Sequence, residues 1–204
     1  MSISTYLELK TAIQNWSKRS DTLSVIDDFI DLAESDIAVN LKVRSMEGTA
    51  TGSTGTTDRY LALPTGFLSM RKFRIYTGGA SFEIEYRAPE SMNIQTAAGR
   101  PRFFTVTNQV EFDRVPDSAY SYEMAHFKSL TALSSSNTTN DILTRFPAIY
   151  LYGSLFHFAQ WAHDDAMIQK YSLLFDEAMK RANKLDRRGR HGPAPAMHIE
   201  GSTP

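Results

Sequence analysis

Cysteine is absent from this chain of 204 residues. Its absence excludes disulfides, cysteine-based zinc sites, iron–sulfur clusters and thiol nucleophiles, and it fits a reducing compartment. Long apolar runs are also missing, because none approaches the roughly 20 residues that cross a bilayer. The N-terminus lacks a basic stretch followed by an apolar core, so we expect neither a signal peptide nor a membrane segment.

An excess of basic charge is missing as well. The chain carries 22 Lys and Arg against 23 Asp and Glu, which gives a net charge of −1. This balance excludes the whole-chain nucleic-acid affinity that histones and ribosomal proteins derive from their positive charge. Any contact with a polyanion must therefore come from a local patch.

Signatures of catalysis and of cofactor binding are absent too. The three glycines of residues 47–58 are not followed by the Gly-Lys-Ser/Thr of a phosphate-binding loop. Gly153-Ser154 lacks the second glycine of a nucleophile elbow. His157 and His163 stand six residues apart and so do not share a helix face as paired zinc ligands do. We therefore expect no enzymatic activity, no cofactor and no metal.

The first 46 residues have the apolar spacing of helices. A stripe at helical spacing runs from Ile26 to Leu41 and includes Phe29 and Ile30. The opposite arc is acidic and consists of Asp27, Asp28, Asp31 and Glu34. Because these acids match no EF-hand loop, they predict a solvated or partner-facing surface rather than a cation site. Asp36 lies near the apolar stripe, and the sequence offers no explanation for it.

The middle of the chain changes from helical to strand periodicity. Residues 47–58 are rich in Gly, Ser and Thr and predict a flexible loop. Residues 59–130 then alternate between apolar and polar side chains, with turn signals at Thr77-Gly78-Gly79-Ala80 and near Asn108. They predict a small antiparallel sheet inserted between two helical segments.

Helical periodicity returns in residues 140–186. Apolar residues surround residues 146–161 on nearly every side, which indicates a central buried helix. The predicted stripe of the final helix is Met167, Tyr171, Leu174, Ala178, Ala182 and Leu185. Together with the N-terminal helices, this segment predicts a bundle whose core contains Phe29, Ile30, Phe146, Tyr150, Phe158 and Trp161.

These patterns predict an α+β fold, in which a helical bundle built from both ends of the chain carries a β-rich insert. The predicted parts are N-terminal helices in 1–46, a flexible loop in 47–58, the insert in 59–130, C-terminal helices in 140–186 and an extended tail in 187–204. The tail lacks any core-forming periodicity.

Cations cluster where the last predicted helix meets the tail. Six of the eleven residues from Lys180 to Arg190 are basic, with Asp186 as the one acid, whereas residues 1–58 hold nine acids and five bases. Three interpretations remain open. The cations can complement the C-terminal end of a helix, dock an acidic surface of a partner or a second copy, or contact phosphate.

The order of these segments resembles the head-to-tail adaptor (connector) proteins of tailed bacteriophages. The resemblance covers residues 5–186. The segments that carry it are Tyr6–Lys10, Asn15-Trp16, Phe29–Glu34, Leu41–Glu47, Tyr60–Leu68, Glu85–Glu90, Gly99–Phe104, Asn140–Leu143, Pro147–Leu155 and Trp161–Asp165.

This resemblance implies a structural virion protein without catalysis. About a dozen copies form a ring between the portal and the next tail protein (a stopper, nozzle or tail tube), and double-stranded DNA passes through the ring without sequence-specific binding. The implied location is the head–tail junction of the virion, after assembly in the host cytoplasm. The acidic helix then becomes either a contact between subunits or a channel wall that repels phosphates.

The resemblance also implies a role for the tail, because relatives commonly use C-terminal extensions against the portal. Eighteen extended residues reach roughly 60 Å. The residues expected to grip the portal are Arg187, Arg188, Arg190, Pro193, Pro195, Met197 and Ile199. A disordered chain end without function is the competing interpretation.

The main alternative function is a nucleic-acid-binding module that uses the basic C-terminal helix and tail as a phosphate patch. Against it, the aromatic residues of the insert alternate with acids, which repel phosphate. A small hydrolase is a third class, but the chain lacks a set of nucleophile and base.

Overall fold

A computed structural model describes residues 3–19, 21–22 and 24–190, without the side chains of 188–190. These residues form five α-helices and eight β-strands, which confirms the predicted α+β class. The chain divides into two compact units. A helical unit contains the described parts of Met1–Ser45 and Leu130–Pro204, and a sheet unit contains Met46–Ser129.

The helical unit contains α1 (Tyr6–Ser17), α2 (Ile26–Asn40), α3 (Asp141–Arg145), α4 (Pro147–Trp161) and α5 (Asp165–Arg190). Side chains at three starts accept backbone N–H groups that a helix leaves unpaired. The Thr5 hydroxyl and the Glu8 carboxylate form a reciprocal capping box at α1. Asn140 caps α3, and Asp164 accepts a hydrogen bond from the backbone of Met167 in the first turn of α5.

Helix α4 lies at the centre of the helical unit, because α1, α2, α3 and α5 all pack against it. Its buried side chains include Tyr150, Leu155 and Phe158. The predicted stripe of α2 is buried along its whole length, from Ile26 to Leu41. Burial of these apolar faces supplies the main stabilisation of the helices.

The sheet unit contains two four-stranded sheets that share one core. The first sheet has the order β1-β8-β3-β4, with β1 (Glu47–Ser53), β3 (Phe67–Thr77), β4 (Ala80–Glu83) and β8 (Ser121–Lys128). The second has the order β2-β7-β6-β5, with β2 (Tyr60–Leu61), β5 (Glu85–Tyr86), β6 (Phe103–Val106) and β7 (Val110–Phe112). The core consists of Phe73, Ile75, Ile84, Phe104, Val110, Phe112, Tyr120 and Met124.

Both predicted hairpins are present, but the insert is not purely antiparallel. Arg74 pairs with Glu83 across the β3–β4 hairpin, and Phe104 pairs with Phe112 across the β6–β7 hairpin. In contrast, β5 runs parallel to β6, with Glu85 opposite Phe103. The chain between these two strands is long enough to bring them side by side in the same direction, which a tight turn does not allow.

The prediction of a flexible loop in 47–58 is wrong for residues 47–53, which form β1. This strand pairs antiparallel with β8 over its whole length, from Glu47 opposite Phe127 to Ser53 opposite Ser121. Its glycines allow a close approach: a Cβ at Gly52 would lie 2.8 Å from the Tyr122 hydroxyl oxygen. The strand is therefore held by its backbone pairing with β8, and its glycines leave space for the Tyr122 ring. The apolar side chains that usually identify a strand are not needed here.

We predict that the backbone amides of β1 that bond to β8 are protected from hydrogen exchange in the isolated protein. An edge strand of an antiparallel pair uses about every second N–H in the ladder, so protection should alternate along residues 47–53. The exposed residues Thr56 and Thr57, beyond the strand, are the internal control. Exchange of β1 as fast as that of the control would mean that this strand does not pair in solution.

Candidate assembly surfaces

The acidic side of α2 is an open surface at its N-terminal half. The side chains of Asp28 and Asp31 are exposed, and neither forms an ion pair within the described residues. Asp27 binds Lys10 of α1 at 2.7 Å and accepts a hydrogen bond of 2.7 Å from the Tyr6 hydroxyl. Partial burial opposes the effect, but these two bonds hold the pKa of Asp27 below its ordinary value.

The same contact changes the acidity of Tyr6. Desolvation, followed by the hydrogen bond to the Asp27 carboxylate, raises the pKa of the Tyr6 phenol above its ordinary value. The phenol therefore stays protonated and continues to donate to Asp27 at all physiological pH values. This bond and the Lys10 ion pair join the first half of α1 to the first turn of α2.

Glu34 does not belong to the open acidic surface, so the prediction from its position on the helix is wrong for this residue. Its carboxylate oxygen Oε1 accepts hydrogen bonds from the Leu133 backbone at 2.9 Å and from the Tyr150 hydroxyl at 3.0 Å. The Tyr150 hydroxyl in turn accepts a bond of 2.6 Å from the Asn140 side chain. Glu34, Tyr150 and Asn140, called here the buried polar network, thus connect α2, the cap of α3 and α4.

Burial dominates the titration of this network. Desolvation raises the pKa of Glu34 above its ordinary value, against the hydrogen bonds from Leu133 and Tyr150. Desolvation, followed by the charge of Glu34, raises the pKa of the Tyr150 phenol. Because its groups bond to one another inside the unit, the network has a structural role.

The structure explains the position of Asp36 on the apolar side of α2. The Asp36 carboxylate lies 3.0 Å from Nε2 of His157 on α4, and the imidazole is almost fully buried. The sequence could not reveal this pair, because the two residues are 121 positions apart. His157 therefore contacts a carboxylate of α2 within the helical unit.

The basic side of α5 is exposed. Lys180, Lys184 and Arg187 are exposed and form no ion pair among the described residues, whereas Arg181 pairs with Glu177 one turn earlier. Asp186 has a different role from its cationic neighbours. Its buried carboxylate accepts hydrogen bonds of 3.1 Å from the backbone N–H and from Nε of Arg44, which ties α5 to the segment after α2.

A groove of about 450 Å³ lies between the first half of α4 and the second half of α5. Its floor is apolar, and Arg145 and Arg181 lie at its rim. The residues of the floor are Phe146, Pro147, Ala148, Ile149, Tyr152, Leu174, Ala178, Ala182 and Leu185. The predicted stripe of α5 is confirmed only in part, because Tyr171 and Ala182 are buried. Phe175 and Met179 take the buried positions between them, and Leu185 is 56% exposed.

The predicted core residues divide into two groups. Phe29, Ile30, Tyr150 and Phe158 are buried, and Phe146 is half-buried beside the groove. Trp161 is 43% exposed, so its assignment to the core is wrong. It occupies the last turn of α4, where one side of the indole packs against Phe29 and Phe158 and the Arg19 guanidinium lies 5.2 Å from the ring centre.

The predicted portal-gripping residues fall mostly beyond the described part of the chain. Helix α5 continues to Arg190, four residues past the predicted helix end at Asp186. The backbone of Arg187, Arg188 and Arg190 is therefore helical, and the Arg187 side chain is exposed. Residues 191–204, with Pro193, Pro195, Met197 and Ile199, lie outside the described residues.

No three His, Asp or Glu side chains in the described ranges converge in a way that would hold a metal ion. No helix in that part of the chain combines the length and the apolar character needed to cross a bilayer.

The family model described as SU10 adaptor protein matches residues 4–196, which is nearly the whole chain and includes both units. No curated protein matches the sequence.

Proposed function

Because the chain belongs to the SU10 adaptor protein family, we propose that it forms a ring of about a dozen copies between the portal and the next protein of the phage tail. At the level of the family, the chain is a structural adaptor and a component of a bacteriophage virion. The observation that carries the proposal is the extent of the family match, which includes the helical unit, the sheet unit and the start of the tail.

The charge distribution of the helical unit supports assembly as the activity. Exposed acids on α2 and exposed cations on α5 give one chain two different, complementary surfaces. Two different surfaces on one chain produce head-to-tail contacts between copies, and such contacts close into rings when the rotation allows it. In such a ring, double-stranded DNA would pass through the centre without sequence-specific binding.

We further propose that the C-terminal tail contacts the portal. Arginine guanidinium groups bind carboxylates with two parallel hydrogen bonds, and the chain carries Arg187, Arg188 and Arg190 just before residues 191–204. Met197 and Ile199 add apolar anchors, and Pro193 and Pro195 lower the entropy lost on ordering. The neighbouring copies and the next tail protein would contact other surfaces.

The test is binding to purified portal rings by the full chain and by a chain that ends after Arg190. We expect the full chain to cosediment with the portal and the shortened chain to melt at the same temperature but to bind at least about tenfold more weakly. The variant Met197→Ala with Ile199→Ala removes only the apolar anchors and keeps every charge, so we expect it to melt at the same temperature and to lose part of the binding.

Two results would contradict these proposals separately. Equal binding of the full and shortened chains would show that residues 191–204 are not the portal contact. No binding of the full chain to the portal under any salt condition would contradict the adaptor ring itself.

The exposed cations of α5 are the specific observation that favours a nucleic-acid-binding module as the second candidate. Under the adaptor proposal, purified protein should bind duplex DNA weakly and without sequence preference. Tight binding with a steep dependence on salt would favour the second candidate, because each phosphate contact releases a counterion.

A further inference from the structure

The outer face of α2 carries two apolar side chains that the described residues of the helical unit leave largely exposed. Leu32 is 50% exposed and Val39 is 74% exposed. Together with Asp28 and Ser35 they recur at intervals of four and three residues, so they form one stripe along the helix. The buried stripe of α2, which faces α4, lies on the other side. This outer stripe is an apolar ridge with acids at its N-terminal end.

The groove between α4 and α5 has the opposite character. It is concave where the ridge is convex, and its floor is apolar where the ridge presents Leu32 and Val39. Its rim carries Arg145 and Arg181, and Lys184 lies exposed on the adjacent turn of α5. Glu177 also lines the groove, but it is paired with Arg181. The rim is therefore net positive, and the ridge is acidic.

The dimensions of the two surfaces agree. Seven residues separate Leu32 from Val39, which is about 10 Å along a helix. The α5 wall of the groove runs from Leu174 to Leu185, which is about 16 Å. Both apolar side chains of the ridge therefore fit within the length of the groove.

We propose that the α2 ridge of one copy docks in the α4–α5 groove of the next copy. This inference rests on the proposed ring, and it assigns the acidic face of α2 to the contact between subunits rather than to the DNA channel. The occupant is a second copy because the same chain provides both the ridge and a groove of complementary charge. Since ridge and groove are different surfaces, the contact is head-to-tail. One copy of a pair keeps a free groove and the other a free ridge, so further copies can join.

The absence of cysteine allows a direct test by site-directed cross-linking. Two full-length variants, Val39→Cys and Leu185→Cys, are mixed, assembled on portal rings and oxidised. Each variant has one thiol at an exposed position, so a cross-link between positions 39 and 185 can form only between copies. We expect this pair to form covalent dimers.

Leu173→Cys is the matched control for Leu185→Cys. Leu173 is on the same helix and is 70% exposed, but it does not line the groove. We expect the mixture of Val39→Cys and Leu173→Cys to give at least about tenfold fewer dimers at the same thiol concentration. Two cysteines whose Cα atoms are more than about 7 Å apart do not form a disulfide.

Charge reversal provides an independent measurement. Asp28→Lys with Asp31→Lys should weaken self-association by about tenfold or more, because it places cations against the basic rim. Glu85→Lys with Glu90→Lys changes the net charge equally at exposed positions of the sheet unit and should leave self-association unchanged. Unchanged melting temperatures of both variants exclude a folding defect as the cause.

The outcomes separate this inference from the ring proposal. Rings that form normally, but cross-link through Leu173→Cys as well as through Leu185→Cys, would overturn the docking inference and leave the ring in place. Rings without the cross-link between positions 39 and 185 would also overturn it. They would mean that the chain's own tail or the portal occupies the groove. Absence of rings at every concentration would contradict both proposals.

Discussion

Replacing Tyr150 by alanine is expected to lower the free energy of unfolding by about 3–5 kcal/mol. Tyr150 is fully buried at the centre of α4, so alanine leaves a cavity where the ring was. The substitution also removes the hydroxyl that donates to Glu34 and accepts from Asn140. Both partners then lose a hydrogen bond inside the unit, and the loss adds to the cost of the cavity. Chemical denaturation monitored by circular dichroism measures the effect.

The variant Tyr150→Phe separates the contribution of the hydroxyl to stability from that of the ring. It keeps the ring and should cost about 1–3 kcal/mol, because it leaves the Glu34 carboxylate with one donor fewer. Stability of Tyr150→Ala within error of the unchanged chain would mean that α4 is not the centre of the helical unit.

The network also predicts a dependence on alkaline pH. The pKa of Tyr150 is raised in the folded protein, so its contribution to stability is complete below the ordinary tyrosine pKa of about 10 and is lost as pH rises above that value. Tyr150→Phe should therefore lose less stability than the unchanged chain above that pH. If both proteins lose the same free energy of unfolding as the pH rises, Tyr150 ionises as freely as an exposed tyrosine.

Replacing Gly153 by valine is expected to lower the free energy of unfolding by about 2–3 kcal/mol. Gly153 lies where α2, α4 and α5 meet. A Cβ at this position would lie 3.0 Å from the Cβ of Ala33 on α2 and 3.0 Å from the ring of Phe175 on α5. Valine adds two further methyl groups in the same space, so α4 must move away from one neighbour or both. Thermal and chemical denaturation of the two proteins measure the cost.

Gly153→Ala is the control for backbone effects. Alanine favours a helix over glycine by about 1 kcal/mol, which offsets the small shift that one methyl group demands of Ala33 and Phe175. We therefore expect Gly153→Ala to stay within about 1 kcal/mol of the unchanged chain. A valine variant as stable as the alanine variant would contradict the close approach of the three helices.

The helices and the two hairpins could be predicted from the sequence because their signals are local. The burial of α2 follows from its 3.6-residue period, and the β3–β4 turn follows from Gly78 and Gly79, whose positive φ angles suit glycine. Strand β1 could not be predicted, since its pairing with β8 depends on residues about 75 positions away and its own composition is that of a loop.

The assembly surfaces were only partly predictable. The acidic arc of α2 was visible, but the withdrawal of Glu34 into the buried polar network depends on Leu133 and Tyr150, which are distant in sequence. The sequence does not decide which stripe of α5 is buried. Both Tyr171-Leu174-Ala178 and Tyr171-Phe175-Met179 have helical spacing, and only packing against α4 distinguishes them. The groove follows from that choice, since it leaves Leu174 in the lining of the groove and exposes Leu185.

The most direct test of the adaptor proposal is electron microscopy of the purified full-length protein mixed with the portal of the same phage. We predict closed rings seated on one end of the portal, with a central channel and a single rotational symmetry. Portal particles that remain bare, while the added protein stays monomeric or coats free DNA, would contradict the proposal.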